Sequence, residues 1–238
     1  MSGPAPADPA ETLEDLVRTP LGGLSLAQVA ARAVRAGARS LPGVDGLAVL
    51  VVEEGRTRAA AFEGADAAVL DERALDAGPG PVLEAATTGG AVHVDTARPP
   101  EHLAPYASAA ARRGLRSVVA LPLPGPAGPV GALALCSREP GDLDAPALAV
   151  ADEVARCAGP VLANAVALAA ARERAEQLTA AMASRATIEQ AKGVLMARRG
   201  CSADEAFALL SSASQASGRK LRDLAAEVVA ETSGSGTG

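Results

Sequence analysis

Apolar positions in the first part of the chain change from a helical period to a strand-like run. Between Leu24 and Ala38 they recur three or four residues apart, which predicts an amphipathic helix. The segment "GLAVLVVEE" (46–54) is apolar almost throughout and predicts a buried strand. A turn centred on Gly55 makes "RTRAAAFEG" its expected antiparallel partner.

The next hundred residues repeat this mixture of short helices and strands. Two short helices are expected in 65–90, around "GPGPVLEAATTGG", followed by a strand at "AVHVD" (91–95) and a helix over "EHLAPYASAAARRG". The strand-like runs "RSVVALPL" and "PVGALALCS" are joined by "PGPAGP", whose Pro and Gly residues are typical of a hairpin connection. This order predicts an α+β fold with an antiparallel sheet flanked by helices.

From Asp144 the pattern is helical as far as Gly200, with an interruption expected at Gly159-Pro160. Apolar residues spaced seven apart can be placed on two seam positions of a coiled coil. One seam holds Val161, Leu168, Ala175 and Met182, and the other holds Asn164, Ala171 and Leu178. This spacing predicts that the helix links two copies of the chain.

Three amphipathic helices are predicted in the last quarter of the chain. Gly200 ends the first, and Ser202 with Glu205 forms a capping box that starts the second near Ala203. The second ends at Gly218, and the third begins near Lys220. The apolar faces expected to meet in one small core are Ile188, Ala191 and Leu195; Ala206, Phe207, Leu210 and Ala213; and Leu221, Leu224, Ala225 and Val228.

The amino-acid composition disfavours several kinds of core and binding site. Only three of its 238 residues are aromatic, so the core must be aliphatic, and nucleic-acid binding by base stacking on aromatic side chains is disfavoured. Three scattered cysteines favour neither a disulfide framework nor a zinc site. Residues 1–20 and the tail 232–238 are expected to be disordered. With no signal peptide or membrane-spanning run recognised, a cytoplasmic location is expected.

Charge is distributed unevenly along the chain. The formal net charge is −6, yet residues 184–230 hold seven basic and five acidic side chains. Both lysines of the chain, Lys192 and Lys220, lie in this segment, against twenty arginines overall. The asymmetry indicates that the C-terminal part meets an anionic partner.

The segment "RATIEQAKGVLMARRGCSADEAFALLSSASQASGRKLRDLAAEVV" closely resembles the ANTAR domain, a three-helix RNA-binding module of transcription antiterminators. More diffusely, "GPVLEAATTGGAVHVDT", "GLRSVVALPL" and "VGALALCS" resemble a GAF domain. These resemblances imply a GAF-like sensor at 21–165, a helical linker at 166–183 and an ANTAR RNA-binding domain at 184–231.

The ANTAR resemblance implies a basic face that contacts RNA hairpins. The residues expected to form or flank it are Ala191, Lys192, Gly193, Arg198, Arg199, Arg219, Lys220 and Arg222. Lysine and arginine supply charge for phosphate, and the unpaired N–H groups at the start of a helix favour anions. Ala191 and Gly193 either flatten the surface beside Lys192 or allow close packing of helices, and the sequence leaves both open.

Sequence motifs give no sign of catalysis. Lys192 precedes its glycine, the reverse of the order in a phosphate-binding loop, and no metalloprotease or nucleophile-elbow motif is present. No cofactor or metal is expected, and His93 and His102 are interpreted as surface or turn residues. The GAF resemblance implies either sensing of an unknown small-molecule or protein signal, or a fold retained for dimerisation.

Two functions therefore remain. The first is a homodimeric, cytoplasmic RNA-binding regulator of transcription antitermination, which binds tandem hairpins in nascent transcripts and is not an enzyme. The second is a ligand-binding or scaffolding dimer that signals through protein–protein contacts without binding RNA.

Overall fold

The computed structural model describes residues 9–41, 43–64, 80–139 and 143–234, and the chain divides into two compact units, 1–169 and 170–238. The strands are β1 (Gly46–Glu53), β2 (Arg56–Glu63), β3 (Val92–Asp95), β4 (Ser117–Leu123) and β5 (Gly131–Ser137). The helices are α1 (Pro9–Val17), α2 (Leu26–Ser40), α3 (Pro81–Thr88), α4 (Ala104–Arg112, preceded by a 3-10 turn at Glu101–Leu103), α5 (Ala145–Arg199), α6 (Ala203–Ser217) and α7 (Leu221–Gly234).

The first unit is built on one antiparallel sheet with strand order β2-β1-β5-β4-β3. The predicted hairpin at Gly55 is confirmed, with Leu50 opposite Ala60. Strand β5 lies at the centre and is buried along its whole length. At its start, a side chain on residue 131 would place a Cβ 1.9 Å from the Leu50 carbonyl oxygen, so the close approach of β1 requires glycine there.

Alternate residues of each strand face opposite layers of helices. Leu47, Val49 and Val51 of β1 belong to a core formed with α1, α2 and the first half of α5. Ala48 and Leu50 face a second core, formed with α3 and α4, in which Tyr106 is fully buried. The predicted α+β class, an antiparallel sheet flanked by helices, is confirmed.

The N-terminal segment differs from expectation. Residues 9–17 form α1, and its Leu13 and Leu16 are buried in the first core. The expected disorder of 1–20 is therefore wrong for this stretch, because two leucines one turn apart are enough to attach a short helix to the sheet layer. Residues 1–8 lie outside the described part, as do 65–79, where one of the two short helices of 65–90 was expected.

Helix α5 passes through Gly159 and Pro160 without a break, so the interruption expected there is wrong. A Cβ on residue 159 would lie 2.3 Å from the Pro124 carbonyl oxygen, which shows that the β4–β5 connection crosses the helix directly over this glycine. Pro160 is exposed, and so is Arg156, whose carbonyl loses its helical donor to the proline ring. Water can satisfy that carbonyl, and the helix continues.

The predicted coiled-coil seam is used in two ways. Val161 is buried in the core of the first unit, so this part of the seam packs within its own chain. Farther along, within the second unit, Leu178 and Met182 are 64% and 67% exposed. The first half of α5 is also long and apolar enough to span a membrane, but Val154, Ala158 and Leu162 bury its apolar face against the sheet.

Candidate nucleic-acid interface

The second unit is a three-helix bundle formed by the end of α5 with α6 and α7. Its core is formed by Ala191, Leu210 and Ala225, one from each helix, and all three are buried. Ile188, Leu195, Leu221 and Val228 pack around them as predicted. Gly200 and Gly218 adopt left-handed conformations that end α5 and α6, and the predicted Ser202–Glu205 capping box starts α6.

Two residues assigned to the apolar face of α6 are not in this core. Phe207 is 45% exposed, and Ala213 is also exposed. Ala206 and Leu210 already fill the space between the helices, and Phe207 lies about 60° around the helix from Leu210. The only aromatic residue of the second unit therefore faces outward.

Ala191 is fully buried, which corrects its expected place beside the RNA. Of the two roles that the sequence left open for it, the structure gives it helix packing. Gly193 is different: it is exposed, and a Cβ there would meet no atom within 4 Å. Its lack of a side chain therefore leaves open surface next to Lys192.

Lys192 borders the core and is largely covered. Its side chain is 17% exposed, and the ammonium group donates to both carboxylate oxygens of Glu189, at 3.0 and 2.9 Å. The two residues are one turn apart on α5, the spacing at which side chains of a helix meet. The ammonium group of Lys192, which was expected to contact phosphate, is therefore already paired with a carboxylate.

Lys192 also belongs to a regular stripe on α5 that the sequence analysis missed. Arg185 and Arg199 lie seven residues before and after it, so the three side chains follow one side of the helix over about 21 Å. Both arginines are exposed, and neither forms an ion pair with any residue that the structure describes. We call Arg185, Lys192 and Arg199 the α5 basic stripe; its seven-residue spacing was the available signal.

Arg198 faces another direction and links α5 to α7. Its guanidinium lies 3.3 Å from a carboxylate oxygen of Glu231. The bond joins residues 33 positions apart and stabilises the bundle, which no local pattern predicts. Arg198 therefore connects two helices of the bundle, in addition to contributing charge to its surface.

At the start of α7 the predicted cations differ in their partners. Arg219 forms a two-bond ion pair with Glu227, which raises the pKa of the arginine and lowers the pKa of the glutamate through their side-chain hydrogen bonds. Arg222 lies 3.4 Å from Asp223. Lys220 caps the helix through its carbonyl, which accepts from the N–H of Asp223 at 2.9 Å. Its side chain is exposed and has no ion pair within the described ranges.

The predicted site thus separates into cations with acidic partners and cations without. Lys192, Arg198, Arg219 and Arg222 have carboxylate neighbours, whereas Arg185, Arg199 and Lys220 have none among the described residues. No hydrogen bond or ion pair in the described part of the chain joins the α5 basic stripe to Arg219, Lys220 or Arg222. The exposed cations lacking a partner are the stronger candidates for phosphate contacts.

Family models match both units. A model of the ANTAR domain matches residues 176–229, and a model of the GAF domain matches residues 23–163. No curated protein matches the chain. Both matched families are regulatory domains rather than enzymes.

Solved structures resemble the chain in fold. The free methionine-R-sulfoxide reductase from Neisseria meningitidis, in complex with its substrate, has a TM-score of 0.50 at 19% identity over 69% of this chain and 96% of that one. The GAF domain from Acinetobacter phosphoenolpyruvate-protein phosphotransferase has a TM-score of 0.47 at 16% identity, over 71% and 99%. At such identities the likeness to the first shows the fold alone.

The GAF model matches the unit built on the sheet, and the ANTAR model matches the three-helix bundle. The chain therefore belongs to the GAF domain family, whose model covers more than half of its length, and carries a C-terminal ANTAR domain in the GAF–ANTAR architecture of regulatory proteins.

Proposed function

We propose that this protein is a cytoplasmic RNA-binding regulator of transcription antitermination, whose bundle binds hairpins in nascent transcripts. The observation that carries the proposal is the ANTAR match over residues 176–229, the part of the chain that holds both lysines and the α5 basic stripe. A folded RNA held in this way cannot rearrange into a competing terminator hairpin.

The α5 basic stripe supports phosphate binding by its spacing and its surroundings. Arg185 and Arg199 extend into solvent at its two ends, and the bare backbone at Gly193 lets a nucleic-acid strand approach the middle. Arginine offers paired donors that match the geometry of phosphate oxygens. Lys220, at the start of α7, adds a further exposed charge.

Dimerisation belongs to the same proposal. The exposed seam at Leu178 and Met182 would pair with a second copy and so hold two bundles together. Two hairpins on one transcript would then bind with a raised effective concentration, and each contact can be weak. A small-molecule or protein signal at the GAF unit would bias the population of binding-competent dimers.

A titration of labelled tandem-hairpin RNA tests the proposal directly. We expect Arg199→Ala and Lys220→Ala each to weaken binding about tenfold, as the loss of one charge-assisted contact predicts. Arg58→Ala is the matched control, because Arg58 is an exposed arginine of the first unit that pairs with Glu53. RNA affinity that is equal in the wild type and both test variants would contradict the proposed surface.

A gain-of-affinity variant sharpens this test. Glu189→Gln removes the charge that holds Lys192, so we expect RNA to bind several times more tightly. Glu176→Gln removes the same charge from the same helix, about 20 Å from Glu189 along its axis, and should have little effect. Equal changes in the two variants would mean that only net charge matters.

A second function is favoured by one observation. Phe207, Leu209 and Met196 are large apolar side chains exposed on the bundle, where a protein partner would bury them. On this alternative the protein is a scaffolding dimer that signals through protein contacts. It predicts no RNA binding above the non-specific level in the same titration.

A further inference from the structure

A cleft on the first unit has the chemistry of an anion-binding site. It lies between α1 and α2 beside the end of β2 and has a volume of about 470 Å³. Small-molecule sites in proteins commonly have volumes of a few hundred Å³. Buried Leu16 and Ala36 contribute to its lining, so part of the cleft is firmly packed against the core.

Three arginines of α2 line this cleft together. Arg32, Arg35 and Arg39 are spaced by three and four residues, which places them side by side on one face over about 10 Å. All three are exposed. Arg18 and Arg58, which lie outside the cleft, form ion pairs with Glu14 and Glu53, but the cleft arginines pair with no carboxylate of the residues described.

Like charges at this spacing repel one another and destabilise the helix that carries them. A bound anion would remove that repulsion and accept several guanidinium donors at once, and phosphate has the geometry to do so. Thr12 and Thr19 also line the cleft, and the Thr19 hydroxyl donates to the Asp15 carbonyl oxygen at 3.2 Å. The arrangement therefore suits a ligand with a concentrated negative charge.

Two carboxylates in the cleft define the ligand further. Asp15 lies on α1 and Glu63 at the end of β2, and both line the cleft. They would repel an extended polyanion such as an RNA strand, whereas ligand hydroxyl or amino groups would donate to them. A small molecule with phosphate at one end and hydroxyl groups at the other satisfies both sets of residues.

We propose that the cleft formed by Arg32, Arg35 and Arg39 with Asp15 and Glu63 binds a phosphate ester of a polyhydroxy compound, such as a sugar phosphate or a nucleotide. The site goes beyond the proposed function, because it belongs to the first unit and requires no RNA. It gives the sensor unit a ligand class and a place for it.

Calorimetric titration of the full chain with ribose 5-phosphate, ADP, pyrophosphate and adenosine tests this proposal. We expect the phosphate compounds to bind and adenosine, which has no phosphate, not to bind. Arg35→Gln should weaken phosphate binding at least tenfold, since glutamine keeps the helix but not the charge. Arg18→Gln is the control and should bind like the wild type.

Asp15→Asn separates the two halves of the recognition. It should weaken ribose 5-phosphate while leaving pyrophosphate unchanged or tighter. Binding of none of the phosphate probes at millimolar concentration, or equal losses in the Arg18 and Arg35 variants, would overturn the proposal. So would weaker RNA binding by Arg35→Gln without small-phosphate binding, which would make the cleft an RNA contact. The proposed RNA binding is tested independently by Arg199→Ala and Lys220→Ala. One proposal can therefore fail while the other stands.

Discussion

Glu205 shows how one side chain sets the start of a helix. Its carboxylate accepts from the backbone N–H of Ser202 at 2.8 Å and from the serine hydroxyl at 2.9 Å, while Ser202 Oγ accepts from the Glu205 N–H. The backbone hydrogen bond, followed by the hydroxyl, lowers the pKa of Glu205. The charged form of this residue is therefore favoured by folding.

This lowered pKa predicts an acid-dependent contribution to stability. The contribution is complete above the ordinary glutamate pKa of about 4.3 and is lost as the pH falls through the lower folded-state value. We expect Glu205→Ala to lower the melting temperature at pH 7, and the difference from wild type to shrink near pH 3. Thermal melts monitored by circular dichroism at both pH values would measure this.

Glu205→Gln provides the control, because glutamine keeps the capping geometry and does not titrate. Its difference from Glu205→Ala should vary much less with pH. A wild-type advantage over alanine that is as large at pH 3 as at pH 7 would show that the charge does not contribute.

Single residues also mark how far the candidate site could be predicted. Lys192 and Lys220 were found because lysine is rare here, and the i, i+3 spacing of Glu189 and Lys192 is visible in the sequence. The pairing of Arg198 with Glu231 depends on how α5 and α7 pack, so neither residue type nor local spacing indicates it. Ala191 was misplaced because a small residue suits a bare surface and a tight helix contact equally well.

At the scale of elements, α5 contains two glycines in opposite situations. Gly159 lies against Pro124, where an added Cβ would overlap backbone atoms at 2.3 to 2.6 Å. Gly193 faces open space on the same helix. The same substitution at the two positions therefore separates steric conflict from helix propensity.

We expect Gly193→Ala to raise the free energy of unfolding by about 0.5–1 kcal/mol, because alanine restricts the unfolded chain and favours helix. Gly159→Ala should lower it by about 1–3 kcal/mol, because the β4–β5 connection must move. Urea denaturation of both variants gives the comparison, with each serving as the other's control. Stabilisation by Gly159→Ala would mean that the β4–β5 connection can move away from the helix without a cost in free energy.

The elements themselves were largely predictable, and the exceptions have physical reasons. Strands β1 and β5 are apolar runs with turn residues at their ends, and the caps of α6 are local signals. The sequence pattern predicts a break at Pro160, but an exposed proline can remain in a helix that tertiary packing stabilises on its other side. Helix α1 was missed because the Pro- and Ala-rich composition around it outweighed the spacing of Leu13 and Leu16.

For the whole molecule, the exposed seam of α5 predicts a dimer. Leu178→Asp places a charge in the exposed part of the apolar seam, so we expect it to shift the protein from dimer to monomer. Sedimentation velocity at micromolar concentration measures the change. Ala180→Asp is the matched control, because Ala180 is exposed on the same turn but lies away from both seam positions.

A monomeric wild type at these concentrations would contradict dimerisation through this helix. An unchanged dimer in Leu178→Asp would place the interface elsewhere on the molecule. RNA affinity measured on the same samples would show whether pairing of two copies matters for binding tandem hairpins.

The ion pairs of the bundle have a consequence for how binding responds to salt. A cation that already carries an internal carboxylate counter-ion exchanges one partner for another when phosphate arrives, so fewer mobile ions are displaced into solution. The logarithmic decline of affinity with ionic strength should then follow the number of unpaired side chains, such as Arg185, Arg199 and Lys220, rather than the full basic content of the bundle. Under the proposed function, the affinity for RNA would therefore change comparatively little with ionic strength.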